Sequence, residues 1–148
     1  MKRFTIAVNL ITLSLVLTGC ASTNSSMLKA TTMVSQEPHL VVVSDHKRFV
    51  LSLFPNTTPP PLHQIHDWTL QVKDADAVAV ETANIMVYGG MPKHKHGFST
   101  NPKVTQNLGN GNYLIDGIKF NMPGQWEIWL NIIAGKVRDK AVFVVNIK

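Results

Sequence analysis

Six histidines and six methionines stand beside a single cysteine in 148 residues, and one stretch gathers two of those histidines with a methionine. In Met91-Pro92-Lys93-His94-Lys95-His96-Gly97 the two imidazoles are two positions apart. On an extended backbone that spacing puts both on one side, with Cα atoms roughly 6.5–7 Å apart. Two rings so placed share one metal ion when their side chains converge, and neutral imidazole is a ligand around neutral pH. Met91 offers a thioether just upstream, and Met122, before Pro123-Gly124 at another turn, offers a second. Two imidazoles with one or two thioethers form a neutral, soft donor set. Thioethers favour Cu(I), and imidazole also suits Cu(II). Zinc more usually has cysteine or a carboxylate among its ligands, and calcium and magnesium want oxygen. Met91, His94, His96 and Met122 are therefore the candidate metal ligands, with copper the expected ion. Lys93 and Lys95 oppose a cation by about 1 kcal/mol or less once solvent screens them. The plainer alternative is an exposed polar loop with two solvated histidines and two core methionines.

Other chemistry is sparse. His63 and His66 bracket a strand start at a spacing that puts them on different faces, and His39 and His46 stand alone. No Gly-x-Ser-x-Gly, His-Glu-x-x-His or phosphate-cradling glycine loop occurs. The nine carboxylates are scattered, and no pair forms an acid/base couple. The chain is expected not to be an enzyme. One cysteine excludes an intrachain disulfide.

That cysteine has another use. Lys2 and Arg3 precede the apolar segment Phe4–Leu17, whose 14 residues fall short of the roughly 20 that cross a membrane. Leu17-Thr18-Gly19-Cys20 follows at once. Residues 1–19 thus have the pattern of a secretory signal ending in small residues. Leu-Thr-Gly-Cys also resembles the bacterial lipobox. That resemblance implies that Cys20 is lipidated and becomes the mature N-terminus, anchored to a membrane. A plain signal peptide with a chance cysteine is the alternative. Ala21 and Ser22 leave no aspartate after the cysteine. The expectation is sorting to the outer membrane, facing the periplasm of the bacterial cell envelope. Losing Lys2 and Arg3 with the leader brings the formal net charge from +5 to +3. No dense basic cluster follows, so nucleic acid is not expected as a partner.

The elements that must position these groups follow from composition and period. Residues 20–38 carry the lipidated cysteine and a Ser/Thr-rich stretch, a flexible tether whose coil spans roughly 20–24 Å. From residue 39 to 148 the pattern is short apolar runs separated by turn residues. His39–Val43 and Phe49–Phe54 are candidate strands, followed by a proline-rich loop over 55–61. In His66–Val72, Trp68, Leu70 and Val72 alternate with Thr69 and Gln71, the period of a half-buried strand. Asn84–Tyr88 is a strand expected to stop at Gly89-Gly90. Lys103–Leu108 and Tyr113–Ile118 flank Asn110-Gly111, a hairpin signal because both residues tolerate positive φ. After the Met122-Pro123-Gly124 turn, Trp126, Ile128, Leu130 and Ile132 share one face and Trp129 takes the other. There Trp129 covers a sheet edge or forms part of a contact surface. A turn over Gly135–Asp139 leads to a last strand, Lys140–Ile147. With 45% hydrophobic residues and about seven or eight short strands, the expected fold is all-β, an immunoglobulin-like antiparallel β-sandwich. A small barrel is the runner-up.

Gly90-Met91-Pro92-Lys93-His94-Lys95-His96-Gly97, Pro102-x-Val104, Leu108-Gly109-x-Gly111-x-Tyr113 and Phe120-x-Met122-Pro123-Gly124-x-Trp126-Glu127-Ile128 occur in this order. Together, over about residues 45–147, they resemble the YtkA-like periplasmic domain family, related to the periplasmic part of FixH-type proteins. The resemblance implies a small β-sandwich behind an export signal or anchor. It also implies a copper-related role through Met91, His94, His96 and Met122, by binding or by delivery towards a respiratory complex. Lysines at 93 and 95 depart from the small residues common there. The alternative is a non-enzymatic module that docks a protein partner in the periplasm, with the histidine loop as one rim.

Overall fold

Alternation of apolar and polar side chains sorts most of residues 40–148 into strands with one buried face. The structure, a computed structural model, describes residues 40–148. The expected leader, Cys20 and the tether lie outside the described residues. Nine strands follow: β1 (Leu40–Val43), β2 (Phe49–Pro55), β3 (His66–Asp74), β4 (Asn84–Met91), β5 (His96–Gly97), β6 (Lys103–Gly109), β7 (Asn112–Ile118), β8 (Gly124–Ala134) and β9 (Val137–Ile147). They form two antiparallel sheets, one in the order β1-β2-β3-β7-β6 and the other β5-β4-β8-β9. No helix among the described residues is long and apolar enough to cross a membrane.

The strand period of two places the core. Trp68, Leu70 and Val72 of β3 are fully buried, as are Trp126, Ile128 and Ile132 of β8, with Leu130 nearly so. The inner faces of both sheets feed one hydrophobic cluster, with Leu51 and Leu53 from β2, Ile115 from β7 and Phe143 from β9. Each fully buried side chain of this size contributes roughly 1.5–3 kcal/mol. The antiparallel sandwich expected from the sequence is therefore present, with nine strands in place of seven or eight. The extra strand is β5, two residues long, too short to show a period.

Two turns follow their residues closely. At the β6–β7 hairpin, Asn110 and Gly111 both have positive φ, 52° and 70°, as a two-residue type I′ turn requires. Near the start of β7 the Tyr113 hydroxyl donates to the Val80 carbonyl at 2.7 Å. This bond ties the segment before β4 to the sandwich. Tyr113→Phe leaves that carbonyl short of a donor and is expected to cost about 1 kcal/mol. The urea midpoint should fall with the slope unchanged.

One expectation fails here. Gly89-Gly90 does not end β4, which runs on to Met91. Glycine is present there because backbone crowds it. A Cβ on Gly89 would strike the Glu127 carbonyl oxygen of β8, and one on Gly90 the His96 carbonyl oxygen of β5. These glycines let β4 pair closely on both sides, and so carry the strand as far as Met91.

Candidate functional site

Met91 is the last residue of β4, and its chain turns sharply afterwards. Pro92 opens a single 3-10 turn over Pro92–His94, and Lys95 closes it in the left-handed region at φ 59°. The Lys95 amide donates to the Pro92 carbonyl at 3.1 Å. His96 then starts β5, paired with Met91, and Gly97 pairs with Gly90. The His-x-His segment is thus a turn and not the extended backbone its spacing suggested. Proline at 92 sets the helical φ, and the left-handed Lys95 folds the chain back.

Two of the four candidate residues come together directly, because partners across an antiparallel pair share a face. Met91, 2% exposed, and His96, half-buried, therefore project side by side. His94 is exposed, but its ring centroid lies 6.0 Å from that of His96. Two imidazoles on one ion, each with a metal–nitrogen bond of roughly 2 Å, have centroids about 5–6.5 Å apart. The turn carrying Met122 also reaches the hairpin. Gly124 has φ 127°, and a Cβ there would lie 2.8 Å from the Met91 terminal methyl. The Met122 carbonyl accepts the indole N–H of Trp126 at 3.1 Å, and its side chain is 37% exposed. The fold thus joins the two bends at Met91, while the Met122 side chain is exposed.

His96 carries the most informative atom. Its Nδ1 lies 3.2 Å from the Gly97 carbonyl oxygen, which only a protonated Nδ1 satisfies. In the neutral ring Nε2 is then a bare lone pair. That atom is buried and has no hydrogen-bond partner. A buried acceptor without a donor costs free energy, and a soft cation would satisfy it. Trp126 forms the inner wall. Its ring stands edge-on to His96 at 5.7 Å and stacks on Phe98 at 5.4 Å. Sequence reading placed Trp126 in the core without the site, since alternation reports a face and not a neighbour. No group of three or more His, Cys, Asp or Glu that could hold a metal exists among the described residues. The side-chain donors at this hairpin are the two imidazoles and the Met91 thioether.

A second cluster went unread in the sequence. Asp139, expected in a turn, is in β9 with its side chain fully buried. Ser44 Oγ donates to it at 2.6 Å, and the His46 ring Nδ1 lies 2.9 Å away. Serine, histidine and aspartate meet here, but the serine donates to the carboxylate and not to the histidine. Its oxygen accepts the Phe49 amide at 2.9 Å. A nucleophile needs the histidine as its base, so this cluster braces the β1–β2 turn.

Two sheets of short strands, closed over one core and carrying a methionine/histidine hairpin at an end, define a small all-β sandwich module. Residues 56–131, slightly more than half of the chain, match the family model described as YtkA-like, and the chain belongs to that family. The matched span contains the histidine hairpin and the Met122-Pro123-Gly124 turn. No curated protein and no solved structure gives a significant match.

Proposed function

We propose that this protein is a non-enzymatic lipoprotein of the bacterial cell envelope that binds copper, or passes it to an envelope or respiratory-complex partner. Met91, His94 and His96 hold the ion and Met122 closes the rim. The supporting observation is the buried, unpartnered Nε2 of His96, in register with the Met91 thioether and beside the His94 ring. The donor set is neutral and soft, which favours Cu(I). Cys20, lipidated, holds the domain at the membrane, and the outer membrane is its expected site.

The test is a titration of residues 21–148 with Cu(I) against a competing chelator. Wild type is expected to hold the ion at least ~10-fold more tightly than His94→Ala/His96→Ala, about 1.4 kcal/mol. Equal, poor binding by both proteins would sink the copper reading.

A further inference from the structure

The outer face of the β5-β4-β8-β9 sheet has no use in the copper site. Its cross-strand rows are Asn84–Ile133–Arg138, Met86–Asn131–Lys140 and Tyr88–Trp129–Val142, with Val144 beyond. Met86, Tyr88, Val142 and Val144 are each between 41% and 48% exposed. Trp129 lies half-buried against Tyr88, ring centroids 5.8 Å apart. A contiguous apolar face of this kind marks a contact surface.

Three cations gather at one end of it. Lys136, Arg138 and Lys140 are exposed at one end of β9. Glu127 is the acid on the face itself, and it accepts the Trp129 indole N–H at 2.9 Å. Beside the cations is a hollow of about 370 Å³ lined by His46, Met86, Arg138 and Lys140, with Asp45 also lining it. Asp139 lines it as well, its carboxylate already taken by Ser44 and His46. The chain enters the domain through β1, which touches β9. The Asp45 amide donates to the Lys140 carbonyl at 2.8 Å.

We propose that this face lies on an anionic phospholipid surface, with Arg138 and Lys140 at headgroup phosphates around the hollow and Trp129, Tyr88, Val142 and Val144 at the acyl boundary. Aromatic rings with a polar tip and basic side chains on apolar stems are the residues that settle at that boundary. Cationic attraction to anionic headgroups supplies the orientation. An acidic protein would answer the cations but not the apolar rows. The lipid anchor expected at Cys20, twenty positions before Leu40, would bring such a surface within reach. The proposal rests on that part of the reading above and is independent of copper.

Trp68 and Trp126 are fully buried, so Trp129 is the tryptophan that lipid can touch. The full chain is reconstituted, without copper, in vesicles of phosphatidylcholine with or without phosphatidylglycerol, the acyl chains brominated. With phosphatidylglycerol, Trp129 emission is expected to shift to the blue and be lost to bromine quenching. Added salt, Arg138→Glu/Lys140→Glu and omission of phosphatidylglycerol should each restore it, and Trp129→Phe should remove the responding signal. Flotation reports attachment through the N-terminal segment, whereas emission reports the face. Absence of quenching with phosphatidylglycerol overturns the proposal. Quenching that ignores both charge reversal and headgroup overturns it too. A protein cross-linked at Val144→Cys from unquenched membranes would assign the face to a protein partner instead.

Discussion

Asp139→Ala is expected to lower the stability of the domain by about 3 kcal/mol, one of the largest single-residue effects in the chain. The Asp139 carboxylate accepts from Ser44 Oγ, from the His46 amide at 3.1 Å and from the Lys140 amide at 2.9 Å. Alanine leaves the buried Ser44 hydroxyl and the part-buried His46 and Lys140 amides without their acceptor. For a domain of this size the midpoint temperature should fall by roughly 10–20 °C. Burial alone would raise this carboxyl above its ordinary value of 3.8, but the hydrogen bonds from Ser44, His46 and Lys140 outweigh it and hold the group well below. A depressed carboxyl stabilises the fold fully above the unfolded-state value, and that contribution is lost as pH falls. Wild type should therefore weaken between about pH 5 and pH 2, where Asp139 would have to take up its proton. Asp139→Asn, which cannot titrate, should start less stable and approach wild type as the pH drops. Urea midpoints across that range measure the difference. Parallel curves would mean that the stability comes from something other than the charge.

Asp139 also shows why part of this molecule was legible in the sequence and part was not. Alternation over Trp68–Val72 and Trp126–Ile132 reported a buried face directly, because strand geometry turns a period of two into inside and outside. Asn110-Gly111 announced its hairpin because few residue pairs tolerate two positive φ values. Asp139 sits among Lys136, Arg138 and Lys140, so local composition suggested a solvated turn. Its partners Ser44 and His46 are more than ninety positions away, and only the meeting of β1 and β9 joins them. The histidine segment was legible in its donors and not in its geometry. Residue types named Met91, His94 and His96, but Lys95 in the left-handed region and a two-residue β5 leave no periodic trace. Trp129 was legible as outward-facing, and the cations beside it came from register alone.

The glycine pair inside β4 carries the other large effect, because it decides whether the histidine hairpin can form. Alanine for glycine normally gains about 0.4–1 kcal/mol by restricting the unfolded chain. At Gly90 the added methyl would meet the His96 carbonyl oxygen and the Gly97 Cα of β5. Both are backbone, so no side chain can swing away, and β5 must leave β4. Gly90→Ala is expected to cost about 2–3 kcal/mol and to unpair Met91 from His96. Gly97→Ala is the control on the same ribbon. Its methyl would meet only the Gly89 carbonyl oxygen, at 3.2 Å, which a small shift relieves, and its stability should stay within about 1 kcal/mol of wild type. Hydrogen exchange separates a local effect from a global one. In Gly90→Ala the Phe98 amide, which donates to the Gly89 carbonyl at 3.0 Å, should lose protection more than the β8–β9 amides do. Equal loss everywhere would mean that the glycine serves the whole sandwich. Selective loss at Phe98, with Cu(I) affinity falling alongside it, would show that close β4–β5 pairing is what holds Met91 beside His96.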